Sequence, residues 1–267
     1  MHPPDEGKEP LRLVVLGDST AFTNHVGPQL PGDPGLYPNV IARALERALD
    51  REVSVTVLAR AGADSRDTWR VLYKDRHAQF EVLMGADAVV VAIGSIDHAP
   101  CGVPPVFEQI VPYIRPEWLR RRARRALHAL HGPLTRLRGA RTMRTPLPEF
   151  ERLYDAVLFQ VRALTQGVPG VVMGPTSHRS PYYGHVHPGR DERERVQFEI
   201  ARRHGFAVVA SWPLVQPHAD RLNPDGIHWP VEAHADVGEA LAVPLIAQLK
   251  GEALAPQAPR YEGWGSA

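Results

Sequence analysis

The stretch Leu11-Arg12-Leu13-Val14-Val15-Leu16-Gly17-Asp18-Ser19 carries the pattern from which the fold follows. Its short Leu- and Val-rich run, Leu11 to Leu16, stops at a glycine, as a buried strand running into a turn does. Further out, Val53 to Leu58 alternates with β-branched residues, and Ala86 to Ile93 is a continuous apolar run broken by Asp87. Gly170 to Met173 and Ala207 to Ala210 complete the predicted strands. Between them, apolar residues recur at helical spacing over Tyr37 to Leu49, Asp67 to Tyr73, Glu149 to Leu164, Asp191 to His204 and Val231 to Leu249. Buried strands alternating with helices predict an α/β fold, a doubly wound parallel sheet in a three-layer α/β/α sandwich. Ligands of such sheets bind beyond the carboxyl ends of the strands. Those ends are Gly17-Asp18-Ser19, Gly62, Gly94 to Asp97 and Pro175 to His178.

A chain of 267 residues with 43% hydrophobic and 23% charged residues suits one α/β domain, residues 1–267, and is too apolar for a wholly disordered polymer. Residues 100–148 break the alternation and read as an inserted helical cap, and residues 256–267 as a frayed tail. A single cysteine, Cys101, excludes a disulfide framework and a Cys-rich zinc module. Met1 to Pro10 lacks the apolar core of a secretory signal and no segment has the length to span a bilayer. A reducing cytoplasm is the expected compartment.

The formal net charge of +1 conceals an asymmetry. Arg115, Arg120, Arg121, Arg122, Arg124, Arg125, Arg136, Arg138, Arg141 and Arg144 face only Glu117 in that interval, so the remainder is net acidic. Such a run fits a solvated helical face, or an anionic partner: nucleic acid, a membrane surface or the phosphates of a small ligand.

Ser19 follows a buried strand and precedes a helical turn, where backbone N–H groups face an oxyanion developing at a serine nucleophile. Taken alone, Asp18 and Ser19 read equally well as helix caps. The second element is Asn223-Pro224-Asp225-Gly226-Ile227-His228-Trp229. An aspartate three residues before a histidine, in a tight Pro/Gly loop, can curl back and orient the imidazole, leaving its other nitrogen to take a serine proton. The joint occurrence distinguishes this arrangement from chance.

Gly17-Asp18-Ser19, Gly62, Gly94-Ser95-Ile96-Asp97 and Asp225-Gly226-Ile227-His228 resemble, in order, the four blocks of the SGNH, or GDSL-type, hydrolases, a family of flavodoxin-like fold. The resemblance implies Ser19 as nucleophile, His228 as general base, Asp225 as its orienting carboxylate, and the N–H groups of Ser19 and Gly62 as oxyanion donors. It also implies an asparagine in the third block, and here that position is Ile96. Losing one such donor costs about 2.7–4 kcal/mol of transition-state stabilisation, so either another group replaces it, with Ser95 and His98 as candidates, or the enzyme works slowly on an activated acyl donor.

Tyr113-Ile114-Arg115-Pro116-Glu117-Trp118-Leu119-Arg120-Arg121 and Pro224-Asp225-Gly226-Ile227-His228-Trp229, with Glu232-Ala233-His234 beyond, look like the actinobacterial diglucosylglycerate octanoyltransferases. Those enzymes also carry an apolar residue at the asparagine position. The resemblance implies transfer of octanoyl from octanoyl-CoA, through a serine ester, to a hydroxyl of a glucosylglycerate precursor of mycobacterial methylglucose lipopolysaccharides. Under this reading Asp97, Trp118, Arg120, Arg121, His178 and Trp229 are candidate substrate contacts, the Arg-rich run meeting CoA phosphates or the glycerate carboxylate. Trp118 and Trp229 read equally as core. His178, His185, His187 and Asp191 admit a metal site, but the intervening Pro181, Tyr182, Tyr183 and Gly184 favour a substrate-facing loop, so no metal is expected. No cofactor is expected beyond octanoyl-CoA as donor substrate. The expected partners are that acyl-CoA and a glucosylglycerate, without nucleic acid or membrane insertion, and a homodimer is left open. The alternatives are a carbohydrate esterase or lipase-like hydrolase with the same triad, and a non-enzymatic scaffold binding nucleic acid or membrane through its arginines.

Overall fold

The computed structural model describes residues 9–103, 107, 110–138, 142–176 and 180–252. His178, residues 256–267 and parts of the 100–148 insert lie outside them. Five strands form one sheet: β1 (Leu11–Gly17), β2 (Val53–Ala59), β3 (Ala88–Ala92), β4 (Gly170–Met173) and β5 (Ala207–Val209). Their order is β2-β1-β3-β4-β5 and every pairing is parallel. The helices are α1 (Tyr37–Leu49), α2 (Ser65–Lys74), α3 (Glu117–Leu137), α4 (Leu147–Leu164), α5 (Arg190–Arg203), α6 (Trp212–Val215) and α7 (Val231–Leu249).

Alternation along the strands divides the core in two. Leu11, Leu13 and Val15 of β1 join Ala88 and Val90 of β3 beneath α1 and α7, around Ile41, Leu45, Val237 and Leu241. Val14 and Leu16 join Val89 and Val91 on the other face, under Leu72 of α2, Val157 and Val161 of α4 and Phe198 of α5. These side chains are buried, each burial of a large aliphatic contributing about 1.5–3 kcal/mol. The central strands can therefore be apolar at every position, whereas β2, at the edge, is only half-buried.

Register places the site. Gly17 pairs with Ala59 on one side and Ala92 on the other, so the segments that follow β1, β2 and β3 leave the sheet at one level. In this strand order the chain reverses direction across the sheet between β1 and β3, so Ser19 leaves the sheet at the switch point where ligands of such folds bind. Predicted and observed elements agree within two residues at each end, α2 beginning at Ser65 and β3 at Ala88. Asp64 caps α2 early by accepting from the Asp67 N–H at 3.0 Å. Asp87 instead turns to the backbone, its carboxylate accepting from the Arg12 N–H at 2.8 Å.

The insert is tied at its base by an antiparallel bridge between Pro100 and Met143 and by the Cys101 N–H donating to the Thr142 carbonyl at 2.8 Å. Its described part contains a short turn, Val111–Tyr113, and the long α3.

Candidate active site

Asp18 and Ser19 leave β1 into a single turn, Ser19–Ala21, because Asp18 caps it. One Asp18 carboxylate oxygen accepts from the Thr20 N–H at 2.9 Å and the Thr20 hydroxyl at 2.8 Å. Burial pushes the Asp18 carboxyl above the usual range, and the Thr20 hydrogen bonds oppose that rise. This anchor fixes the adjacent Ser19, which remains partly open to solvent.

The C-terminal loop closes on itself before α7. The Asn223 N–H donates to the His228 carbonyl at 2.9 Å, and the Gly226 N–H to the Asn223 carbonyl at 2.7 Å. Gly226 has φ +70°, and a Cβ there would stand 2.8 Å from the Ser180 Cα, so glycine is required for both shape and space. Inside the loop, Asp225 Oδ1 accepts from the Ile227 N–H (2.7 Å) and the His228 N–H (3.2 Å), while Oδ2 lies 2.6 Å from His228 Nδ1. Burial raises the Asp225 carboxyl, but the His228 ring and these backbone donors outweigh it and hold the group below the usual range. It is therefore ionised at neutral pH and orients a proton on Nδ1. His228 Nε2 then faces Ser19 Oγ at 2.9 Å. A serine hydroxyl, an imidazole free to accept its proton and a carboxylate behind it form a chain able to generate an alkoxide nucleophile.

Gly62 lies in the turn after β2 with φ +68°. Among the described residues neither the Ser19 nor the Gly62 N–H has an acceptor, so both remain available to an oxyanion.

Ile96 is buried and supplies no donor. Of the two candidate replacements, His98 is turned into the core: Nε2 lies 3.1 Å from Gln197 Oε1, and Nδ1 3.3 Å from the Arg193 guanidinium. Ser95 Oγ accepts from the Thr176 N–H at 3.3 Å, which ties β3 to β4.

The remaining candidates separate. Asp97 is fully buried. One of its oxygens accepts from the Ser65 N–H (2.9 Å) and hydroxyl (2.8 Å), and the other from the Thr145 hydroxyl (2.8 Å). Asp97 thus knots β3, α2 and the end of the insert together. Burial pushes its carboxyl up to about 7, with Asp64 adding to the rise and the hydroxyls of Thr145 and Ser65 opposing it. Trp229 is buried, packed between Tyr37 (6.1 Å) and His234 (5.1 Å), a core position behind the base. Trp118 and Arg121 are exposed on α3, and Arg120 is half-buried. Among the described residues both arginines face Glu117, at 3.9 and 3.4 Å. His187 Nε2 lies 2.7 Å from the His98 carbonyl, and Asp191 pairs with Arg190. Among the described residues no group of three or more His, Cys, Asp or Glu converges as a metal site would require.

Two residues escaped the sequence reading. Asn223 Oδ1 accepts from the Asp225 N–H at 3.1 Å and shapes the loop, which an Asn before Pro-Asp-Gly could have signalled. Gln197 lies completely buried on α5, and its amide donates to the carbonyls of Ile93 (3.1 Å) and Met173 (3.0 Å). No local pattern marks it.

A family model, the GDSL-like Lipase/Acylhydrolase family, matches residues 15–235. The chain is 33% identical to a diglucosylglycerate octanoyltransferase of Mycolicibacterium hassiacum, over 88% of this chain and 94% of that one. It is 30% identical to the protein of the same name from Mycobacterium tuberculosis, over 88% and 92% of the two chains. Among solved structures, a lipase/acylhydrolase from Enterococcus faecalis superposes with a TM-score of 0.57 at 14% identity, over 90% of this chain and 96% of that one. An acetylxylan esterase from Geobacillus stearothermophilus superposes with a TM-score of 0.53 at 16% identity, over 88% and 94%. These two share the fold. With its four motif blocks, its parallel sheet and a family match covering most of its length, the chain belongs to the GDSL-like lipase/acylhydrolase family.

Proposed function

We propose that the protein transfers an octanoyl group from octanoyl-CoA to a hydroxyl of diglucosylglycerate through an ester on Ser19. The observation that carries the reading is the Ser19–His228–Asp225 hydrogen-bonded chain at the carboxyl end of β1, in a chain whose relatives bear that name over most of their length.

His228 Nε2 takes the Ser19 proton as Oγ attacks the thioester carbonyl. The N–H groups of Ser19 and Gly62 receive the oxyanion. On collapse the carbon–sulfur bond breaks, His228 returns the proton to the departing sulfur, and CoA leaves as the thiol. An acceptor hydroxyl then gives its proton to the same nitrogen and attacks the Ser19 ester, so that the sugar ester forms and Ser19 regains its proton. Ile96 leaves the oxyanion with backbone donors only in this scheme, and an activated thioester tolerates that weaker stabilisation better than an amide. Asp225 holds the imidazole in the required tautomer throughout.

The test is incubation with octanoyl-CoA, with and without diglucosylglycerate, beside Ser19→Ala. Acceptor-dependent formation of an octanoylated sugar, absent from the variant, supports the transferase. CoA release with octanoate and no acylated sugar assigns the site to hydrolysis instead.

A further inference from the structure

The α3 helix meets the rest of the protein through small and polar residues of its C-terminal half. At its C-terminal end it packs through His131, Gly132 and Thr135, all buried. A Cβ on Gly102 would stand 2.3 Å from the His131 carbonyl and one on Gly184 2.7 Å from the Gly132 carbonyl, so two glycines let the backbones meet there. Arg136 Nε donates to the Gly184 carbonyl at 2.9 Å, and His131 packs edge-on to Tyr183 at 5.8 Å. At 100° per residue, Leu119, Ala123, Ala126, Leu127, Leu130, Leu134 and Leu137 share the opposite side. Part of that side faces solvent: Leu119 is 40% exposed, Leu130 52% and Leu137 82%, while Ala123, Leu127 and Leu134 are half-buried. Trp118, 55% exposed, lies on the other side of the helix, among the arginines. Arg120 and Arg122 border the stripe, with Arg121, Arg124 and Arg125 behind them, and Glu117 is the acidic residue of that turn.

We infer that this face of α3 docks on an anionic lipid surface, the leucine stripe entering the acyl boundary and the arginines that border it meeting headgroups. An amphipathic helix with a cationic polar face and a leucine-rich apolar face has the chemistry of an interfacial helix. Charge selects this occupant over the others. A second copy would set one arginine cluster near another with few carboxylates to neutralise them, and a nucleic-acid backbone offers nothing to bury the leucines. No described helix is long and apolar enough to cross a membrane, so the attachment is peripheral.

The experiment is cosedimentation of the full chain with vesicles of phosphatidylcholine alone or mixed with phosphatidylglycerol, at about 0.1 M and about 1 M salt. Binding is expected on the anionic vesicles, weakened at the higher salt. Each neutralised arginine lowers partitioning about fivefold, so R120Q/R122Q, at the two arginines that border the stripe, loses about 25-fold. L119S/L130S, exposed positions whose change leaves the circular-dichroism melt intact, loses more than about tenfold. Equal or absent binding to the two vesicle types overturns the inference. So does release from vesicles by free CoA, which assigns the arginines to a soluble phosphate ligand. Sedimentation as a dimer that L119S/L130S dissociates assigns the stripe to a second copy, and unchanged binding of a single-stranded RNA by that variant assigns the helix to nucleic acid.

Discussion

Gln197 occupies the space that a side chain at Gly94 would need: a Cβ built there stands 2.5 Å from Gln197 Oε1. Gly94 also has φ +118°, a backbone conformation open to glycine. The third motif block therefore turns away from β3 over a buried amide that holds the carbonyls of Ile93 and Met173 and faces His98. Gly94→Ala is expected to destabilise the fold by about 2–4 kcal/mol, through steric conflict and backbone strain together. Urea unfolding of Gly94→Ala, Gln197→Ala and the double variant checks this, with the double less destabilised than the sum because the two share one contact.

Ser19→Ala removes the nucleophile without filling or emptying a core. Acyl transfer should fall by at least about 10⁴-fold, with melting temperature essentially unchanged. Intact-mass spectrometry after mixing with octanoyl-CoA should show the octanoyl adduct on the parent protein and none on the variant.

Asp225→Asn keeps the loop shape but offers the wrong partner to His228 Nδ1. A fall in kcat of about 10⁴-fold with little change in KM is expected, read in steady-state CoA release.

Gly226→Ala places a methyl group against the Ser180 backbone and strains a φ of +70°. Displacing the Asp225–His228 loop by about 1 Å is enough to cost about 100-fold in kcat, because Nε2 must meet Oγ within hydrogen-bonding reach. Pre-steady-state acylation, measured as the first turnover of CoA release, reports the loss directly.

Asp97 gives a pH dependence whose sign is fixed by its raised carboxyl, from 3.8 to about 7. Below about pH 4 both folded and unfolded chains hold that proton. Between there and about pH 7 the folded state holds more protons, so the Asp97 contribution to stability falls as pH rises, by up to about 4 kcal/mol. Above that the penalty is complete. Asp97→Asn, whose amide can still meet Ser65 and a rotated Thr145 hydroxyl, should flatten this slope. Denaturant unfolding of both proteins across pH 4–8 provides the comparison, and parallel curves would place the titrating group elsewhere.

The central strands were legible because they are buried on both faces and carry nearly continuous apolar runs, as Val89-Val90-Val91 illustrates, and the edge strand β2 because its residues alternate. The loop of Asp225 and His228 was legible because a Pro/Gly turn brings residues three apart together by local geometry. Asp97 and Trp229, read as candidate substrate contacts, depend on neighbours distant in sequence. Ser65 and Thr145 saturate Asp97, while Tyr37 and His234 enclose Trp229. Spacing along a chain carries no record of such pairings.

By itself the sequence determined the α/β class, the strand ends that hold Ser19 and Gly62, and the composition of an arginine-rich amphipathic helix. Local periodicity and turn chemistry suffice for these. Only the tertiary structure decided that His228 meets Ser19 at 2.9 Å, that Gln197 underlies Gly94, and that α3 turns Leu119, Leu130 and Leu137 to solvent. The amphipathic pattern states that the helix has two faces. Which face points inward is settled by close backbone packing at Gly102 and Gly184, in parts of the chain far from the pattern itself.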